Sequence, residues 1–124
     1  MAWHGSLHRQ GLLDRIFKTL FSTEVDNGNS STAKTIDWGA GNKQKITLTG
    51  NCVFTFTDPG GAASLLLRVV QDGVGSRTAT WPATVKWPGG VAIGLSAGVG
   101  DIDLIAFYYD GDGNYNAEGS LDYS

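Results

Sequence analysis

The spacing of apolar positions along the chain changes once, near residue 33. Before that point, "LHRQGLLDRIFKTLF" sets Leu12, Leu13, Ile16, Phe17, Leu20 and Phe21 on one side and Asp14, Arg15, Lys18 and Thr19 on the other. Offsets of one, four, five, eight and nine from Leu12 are those of a single helical stripe, so the segment is predicted to be an amphipathic helix. Ser6 can cap it, Asp14 and Lys18 form a favourable i, i+4 pair, and the turn formers of "DNGNSST", Asp26 to Thr32, end it. A helix this short is marginal by itself in water, so its stripe needs a receiving surface: its own domain, a partner, or copies of itself.

From Lys34 onward the period is two. "KQKITLTG" alternates Ile46 and Leu48 with Lys45, Thr47 and Thr49, and "VFTFT" alternates Phe54 and Phe56 with Thr55 and Thr57. Runs of this kind, bounded by Gly, Asn, Asp or Pro, are half-buried strands. "SLLLRVVQ" and "DLIAFYYD" are apolar on both faces, and shorter strands are expected at Thr35 to Trp38, Thr78 to Trp81, Val85 to Trp87 and Tyr115 to Leu121. Seven or eight short strands among 18 glycines predict an all-β domain, an antiparallel β-sandwich or jelly roll over residues 34–124, preceded by a helical arm over residues 1–33. The doubly apolar strands carry more apolar surface than one small sandwich hides, which predicts a homo-oligomer, a trimer.

Composition narrows the function classes. With 124 residues and 41% apolar content there is material for one domain with a core. Nine basic against 12 acidic residues, a net charge of −3, and no basic track interleaved with aromatics argue against nucleic acid as a ligand. No run approaches the ~20 apolar residues of a membrane span, and "MAWHGSLHRQ" is unlike a signal peptide, so synthesis in a cytoplasm is expected. The single cysteine, Cys52, has no partner for a disulfide and no metal-ligating neighbours, and reads as a small core residue. No cofactor is implied.

Four stretches could carry chemistry. "GLSAG", Gly94 to Gly98, fits the nucleophile-elbow pattern, but no helix-forming sequence follows Ser96 and both histidines, His4 and His8, lie far upstream; a chance match is expected. "DGDGN" places Asp110, Asp112 and Asn114 like calcium ligands, yet Tyr115 and Leu121 stand where such a loop needs glycine and glutamate, so a hairpin turn is the better account. Asp101 and Asp103 read as strand-end charges. "TATWPATVKWPGG" holds Trp81 and Trp87, each before a proline that favours extended backbone. Two stiffly held indoles either close one end of the sandwich or offer a platform on which a host glycan stacks.

Three of these stretches together resemble a known module. "TIDWGAGNKQKITLTGNCVFTF", "LLLRVVQDGVGSRTATWPATVKWPGG" and "DIDLIAFYYDGDGNYNAEGSL", covering Thr35 to Leu121, are similar to a small β module of tailed-bacteriophage virion proteins, with Gln71-Asp72, Gly75-Ser76-Arg77, the two Trp-Pro pairs and Tyr108-Tyr109-Asp110-Gly111 as its most specific elements. The resemblance implies a non-enzymatic structural protein of the virion, in which Trp81 and Trp87 belong to the scaffold. The reading it leads to is a capsid decoration or cement-type protein held by its N-terminal arm, through Leu12, Leu13, Ile16, Phe17, Leu20 and Phe21, to a major capsid or tail protein or to its own copies. The alternative is a tail-fibre component that binds a receptor or glycan.

Overall fold

The computed structural model describes residues 21–124, so the stripe residues Leu12, Leu13, Ile16, Phe17 and Leu20 lie outside the described residues; Phe21, at its end, is exposed. The expected helical arm therefore has no structural support, and helical geometry among the described residues is confined to the 3-10 turns Trp38–Ala40 and Pro88–Gly90. The described residues form nine strands: β1 (Val25–Asn29), β2 (Ala33–Asp37), β3 (Lys43–Leu48), β4 (Cys52–Thr57), β5 (Ala63–Gln71), β6 (Ala79–Thr80), β7 (Val85–Lys86), β8 (Ile102–Tyr109) and β9 (Tyr115–Ser120). They form a six-stranded sheet ordered β1-β3-β5-β8-β9-β7 and a three-stranded sheet ordered β2-β4-β6.

The strands match the positions expected from the period-two runs, but the pairing differs from the antiparallel one. β1, β3 and β5 are mutually parallel, as are β2, β4 and β6, and β7 is parallel to β9; only β5–β8 and β8–β9 are antiparallel. The jelly roll, an antiparallel architecture, is thereby replaced by a coil. The physical reason lies in the short connections. Residues 30–32 and 49–51 carry the chain from one sheet to the other instead of turning it back on its neighbour, so each strand's parallel partner arrives one full turn later, with a strand of the opposite sheet as the crossover. The next turn would set β7 beside β5, but the β8–β9 hairpin occupies that gap.

β1 is the strand that local pattern hides. "VDNGN" is poor in strand formers and lies within the segment expected to end the helix, yet it pairs with β3 across an irregularity between Asp26 and Asn29. Asn27 Nδ2 donates to Gln44 Oε1 and to the Lys45 carbonyl, both at 3.0 Å. Tertiary pairing with an open edge supplies what propensity does not, and the sheet starts at Val25, within the 1–33 segment.

Buried polar groups tie successive turns of the coil. Ser30 Oγ accepts from Thr49 N, Gln44 Nε2 donates to the Asp37 and Gly41 carbonyls, and Gln71 clasps the Arg77 backbone while donating to the Ser96 carbonyl. The first two connections stack so closely that a Cβ on Gly50 would lie 3.0 Å from the Ser31 carbonyl. Between the sheets lies one core, drawn from Ile36, Trp38, Cys52 and Phe54 on one side and from Ile46, Leu67, Ile105, Phe107 and Tyr115 on the other. Burial pushes the Cys52 thiol above its usual pKa, as suits a core residue.

Phe107 is 2% exposed and packs against five other rings. Phe107→Ala is expected to cost about 3–5 kcal/mol in chemical denaturation. Val53→Ala, at a position 54% exposed on β4, is expected to stay within about 0.5 kcal/mol of the parent.

Candidate functional site

The outer face of the six-stranded sheet presents side chains in rows set by strand register. One row runs Lys86, Asn116, Tyr108, Ser64 across β7, β9, β8 and β5. The next runs Glu118, Ala106, Leu66. Above the first row stands Trp87 with Pro88, at the end of β7, and together these residues wall a groove of about 520 Å³. A second depression of about 320 Å³ over Leu66 and Leu104 continues it, sharing Ala106 and Glu118. Its floor is apolar because β5 and β8 are apolar on both faces; the outward half of that pattern is what the groove exposes.

The two tryptophans separate in role. Trp81 stacks on Phe54 with centroids 5.0 Å apart and planes 13° apart, and touches Phe56, Trp87 and Phe107. It is core. Trp87 rests against Trp81 at 5.8 Å and Phe107 at 6.4 Å, and also lines the groove. The turn that carries it, Pro88-Gly89-Gly90, needs glycine at its centre, where Gly89 has a φ of 66°.

Behind the groove, Tyr115 Oη donates to Asp58 Oδ1 at 2.5 Å, tying β9 to the β4–β5 connection. Burial, and then the Asp58 carboxylate, raise the Tyr115 phenol well above its ordinary pKa, and burial raises that of Tyr109. Tyr109 Oη in turn accepts from Gly113 N at 3.1 Å.

The remaining candidates are held in structural roles. Ser96 Oγ donates to Asp103 Oδ1 and Ser96 N to Oδ2, both at 2.7 Å, and Asp103, 2% exposed, also accepts from Asp122 N. Asp101 accepts from Gly98 N within its own loop. "DGDGN" is the turn between β8 and β9: Asp110 Oδ1 accepts from the Asp112 and Asn114 amides, and these bonds draw its pKa below the usual carboxylate value. Among the described residues no three metal-ligating side chains come together, and no helix is long and apolar enough to cross a membrane.

Ser64, Tyr108, Asn116 and Glu118 were not legible as site residues. Each is an outward position of a strand, and only the register of three different strands brings them together. Their common feature is that, among the described residues, none of these four side chains makes a hydrogen bond or ion pair.

Residues 31–114 match the family described as "Putative phage tail fibre C-terminal domain", and the chain belongs to that family. It is a structural module of a phage virion, as the resemblance of the Trp-Pro and Tyr-Tyr-Asp-Gly segments implies. No curated protein sequence and no solved structure matches the chain. The match favours the tail-fibre alternative over capsid decoration.

Two outcomes are expected. Trp81→Ala should cost about 3 kcal/mol and Trp87→Ala about half of that in a thermal melt, since the first ring is enclosed by aromatic neighbours and the second faces the groove. The Tyr115 phenol, whose folded pKa lies above its ordinary value of 10.0, contributes stability that is complete below pH 10 and lost as the pH rises above it. Tyr115→Phe should flatten that alkaline loss of stability, read as melting temperature against pH.

Proposed function

We propose that this chain is a host-facing, non-catalytic module of a phage tail fibre, attached through its N-terminal segment and presenting the outer face of its large sheet. The family match over residues 31–114 carries the reading. The groove supports it, because it is an open, preformed concavity on a rigid sheet, walled by an indole and polar side chains. A structural role is further supported at Ser96, whose hydroxyl is spent on a buried carboxylate. The stripe from Leu12 to Phe21 is the proposed attachment to another fibre protein or to the same segment of neighbouring copies in a trimer. Fully burying six such side chains at ~1.5–3 kcal/mol each is of the same size as the ~1–2 kcal/mol per residue that ordering the segment costs, so the stripe is expected to form its helix only where a surface receives it.

Antibody against the chain, gold-labelled on intact particles, is expected to mark the fibres in electron micrographs; label on the capsid shell would overturn the reading in favour of decoration. Removing residues 1–20 is expected to leave the melting temperature unchanged, because β1 is retained, while abolishing incorporation into particles. Incorporation at normal occupancy without those residues would remove the segment from the mechanism.

A further inference from the structure

We infer that the groove bounded by Trp87 and the row Ser64, Tyr108, Asn116 is a binding site for a neutral pyranose saccharide, with Glu118 as an acceptor for its hydroxyls. The inference rests on the host-facing reading above and names the ligand class for that surface.

Four polar side chains converge on one groove with their hydrogen-bonding capacity unused among the described residues. Elsewhere the polar side chains that matter to the fold are committed: Gln44, Gln71, Asp72, Asp103 and Asp110 each hold two or more bonds. Exposed polar side chains elsewhere among the described residues, such as Thr35 and Thr55 on the small sheet, are unpartnered too, but this row is so within a groove and beside an indole. Neighbouring strands lie about 4.8 Å apart, so Ser64, Tyr108 and Asn116 offer hydroxyl, hydroxyl and amide across roughly 10 Å. That is the chemistry a ring of vicinal hydroxyls requires: the amide both donates and accepts, hydroxyls do either, and a carboxylate accepts from two hydroxyls at once.

The apolar part fits the same ligand. The C–H face of a pyranose is apolar and weakly positive, and it stacks on the negative face of an indole or phenol ring. Trp87 wall and Ala106 floor provide such a surface beside the polar row, and the volume of about 520 Å³ suits a small saccharide. Charge decides the class. Glu118 sets a carboxylate and Lys86 an ammonium into the lining, the latter donating to the Ala83 carbonyl at 3.3 Å, so the lining carries no net charge. An acidic sugar would give up the hydration of its carboxylate with no net opposite charge to meet it.

The full chain is to be titrated by calorimetry and by NMR with methyl glycosides of glucose, mannose and galactose, and with methyl glucuronide and N-acetylneuraminic acid as acidic counterparts. At least one neutral glycoside is expected to bind in the millimolar range or tighter, and both acidic sugars more weakly. Asn116→Ala and Glu118→Ala should each weaken neutral-sugar binding roughly tenfold, the loss of one or two hydrogen bonds, without shifting the melting temperature. Should either alanine variant melt early, Glu118→Gln and Tyr108→Phe give the same reading with minimal change of shape. Failure of every neutral glycoside to bind, tighter binding of an acidic sugar, or neutral-sugar binding indifferent to all these variants would overturn the inference. So would sedimentation showing that copies of the chain associate through this face and that the variants dissociate them. Gold labelling of fibres together with absent sugar binding refutes the ligand class and leaves the fibre reading standing. Sugar binding together with label on the capsid does the reverse.

Discussion

Phe56 and Phe107 meet edge to face at 5.3 Å across the gap between the two sheets, and the packing of the domain gathers around that contact. Phe56 comes from β4 in the small sheet and Phe107 from β8 in the large one, so the contact joins the two layers directly. Around it sit Trp38, Trp81 and Tyr115, each within ring contact of both phenylalanines. Edge-to-face pairs of this kind contribute about 0.5–1.5 kcal/mol each beyond the area they bury, and here they are concentrated at one end of the sandwich. The indole N–H of Trp38 is the buried side-chain donor that finds no partner among the described residues; its ring is placed for packing against Phe56.

A coil with such short connections asks more of its corners than a hairpin sandwich does. Each corner turns the chain through the full thickness of the domain, leaving backbone groups that no strand partner reaches. Side chains take that part: Ser30 and Thr49 at one pair of corners, Asn51 accepting from Thr78 N at another, Gln71 between the β5 corner and the long connection that ends at β8. The bonds of Ser30 and Gln71 are half-buried, where an unmade one costs more than a made one contributes, so they specify which corner stacks on which. Asp72 braces the outermost corner, accepting from the Val74 and Gly75 amides and pairing with Arg77 at 3.2 Å. The Gly75 amide first, and then Arg77, hold the carboxyl below its usual pKa.

The surface that this framework leaves open follows from the same logic. β5 and β8 must be apolar inward to hold Leu65, Leu67, Ile105 and Phe107, and they are flanked by β9 and β7, whose outward residues are polar. The outer face is thus a narrow apolar floor with a polar border, and the Trp87-Pro88 corner raises one wall. Because Trp87 leans on the core rings, the wall is fixed by the same packing that holds the sheets together. On the host-facing reading proposed above, such a surface would need no ordering when a ligand arrives.

Much of this was readable along the chain. Period-two runs located eight of the nine strands, Asp-Gly and Gly-Asn located the β8–β9 turn, and the Trp-Pro and Tyr-Tyr-Asp-Gly segments pointed to the phage module, because side-chain alternation, turn conformation and family motifs are all local properties of sequence. Strand direction was not readable: alternation states which residues face inward but is the same for a parallel and an antiparallel neighbour. β1 escaped because Asp, Asn and Gly form a strand only when an open edge such as that of β3 is offered. The division between Trp81 and Trp87, identical in their Trp-Pro setting, was decided by which ring found Phe54 to stack on. The groove was decided last of all, since Ser64, Tyr108, Asn116 and Glu118 are ordinary outward residues until the order β5-β8-β9-β7 sets them side by side.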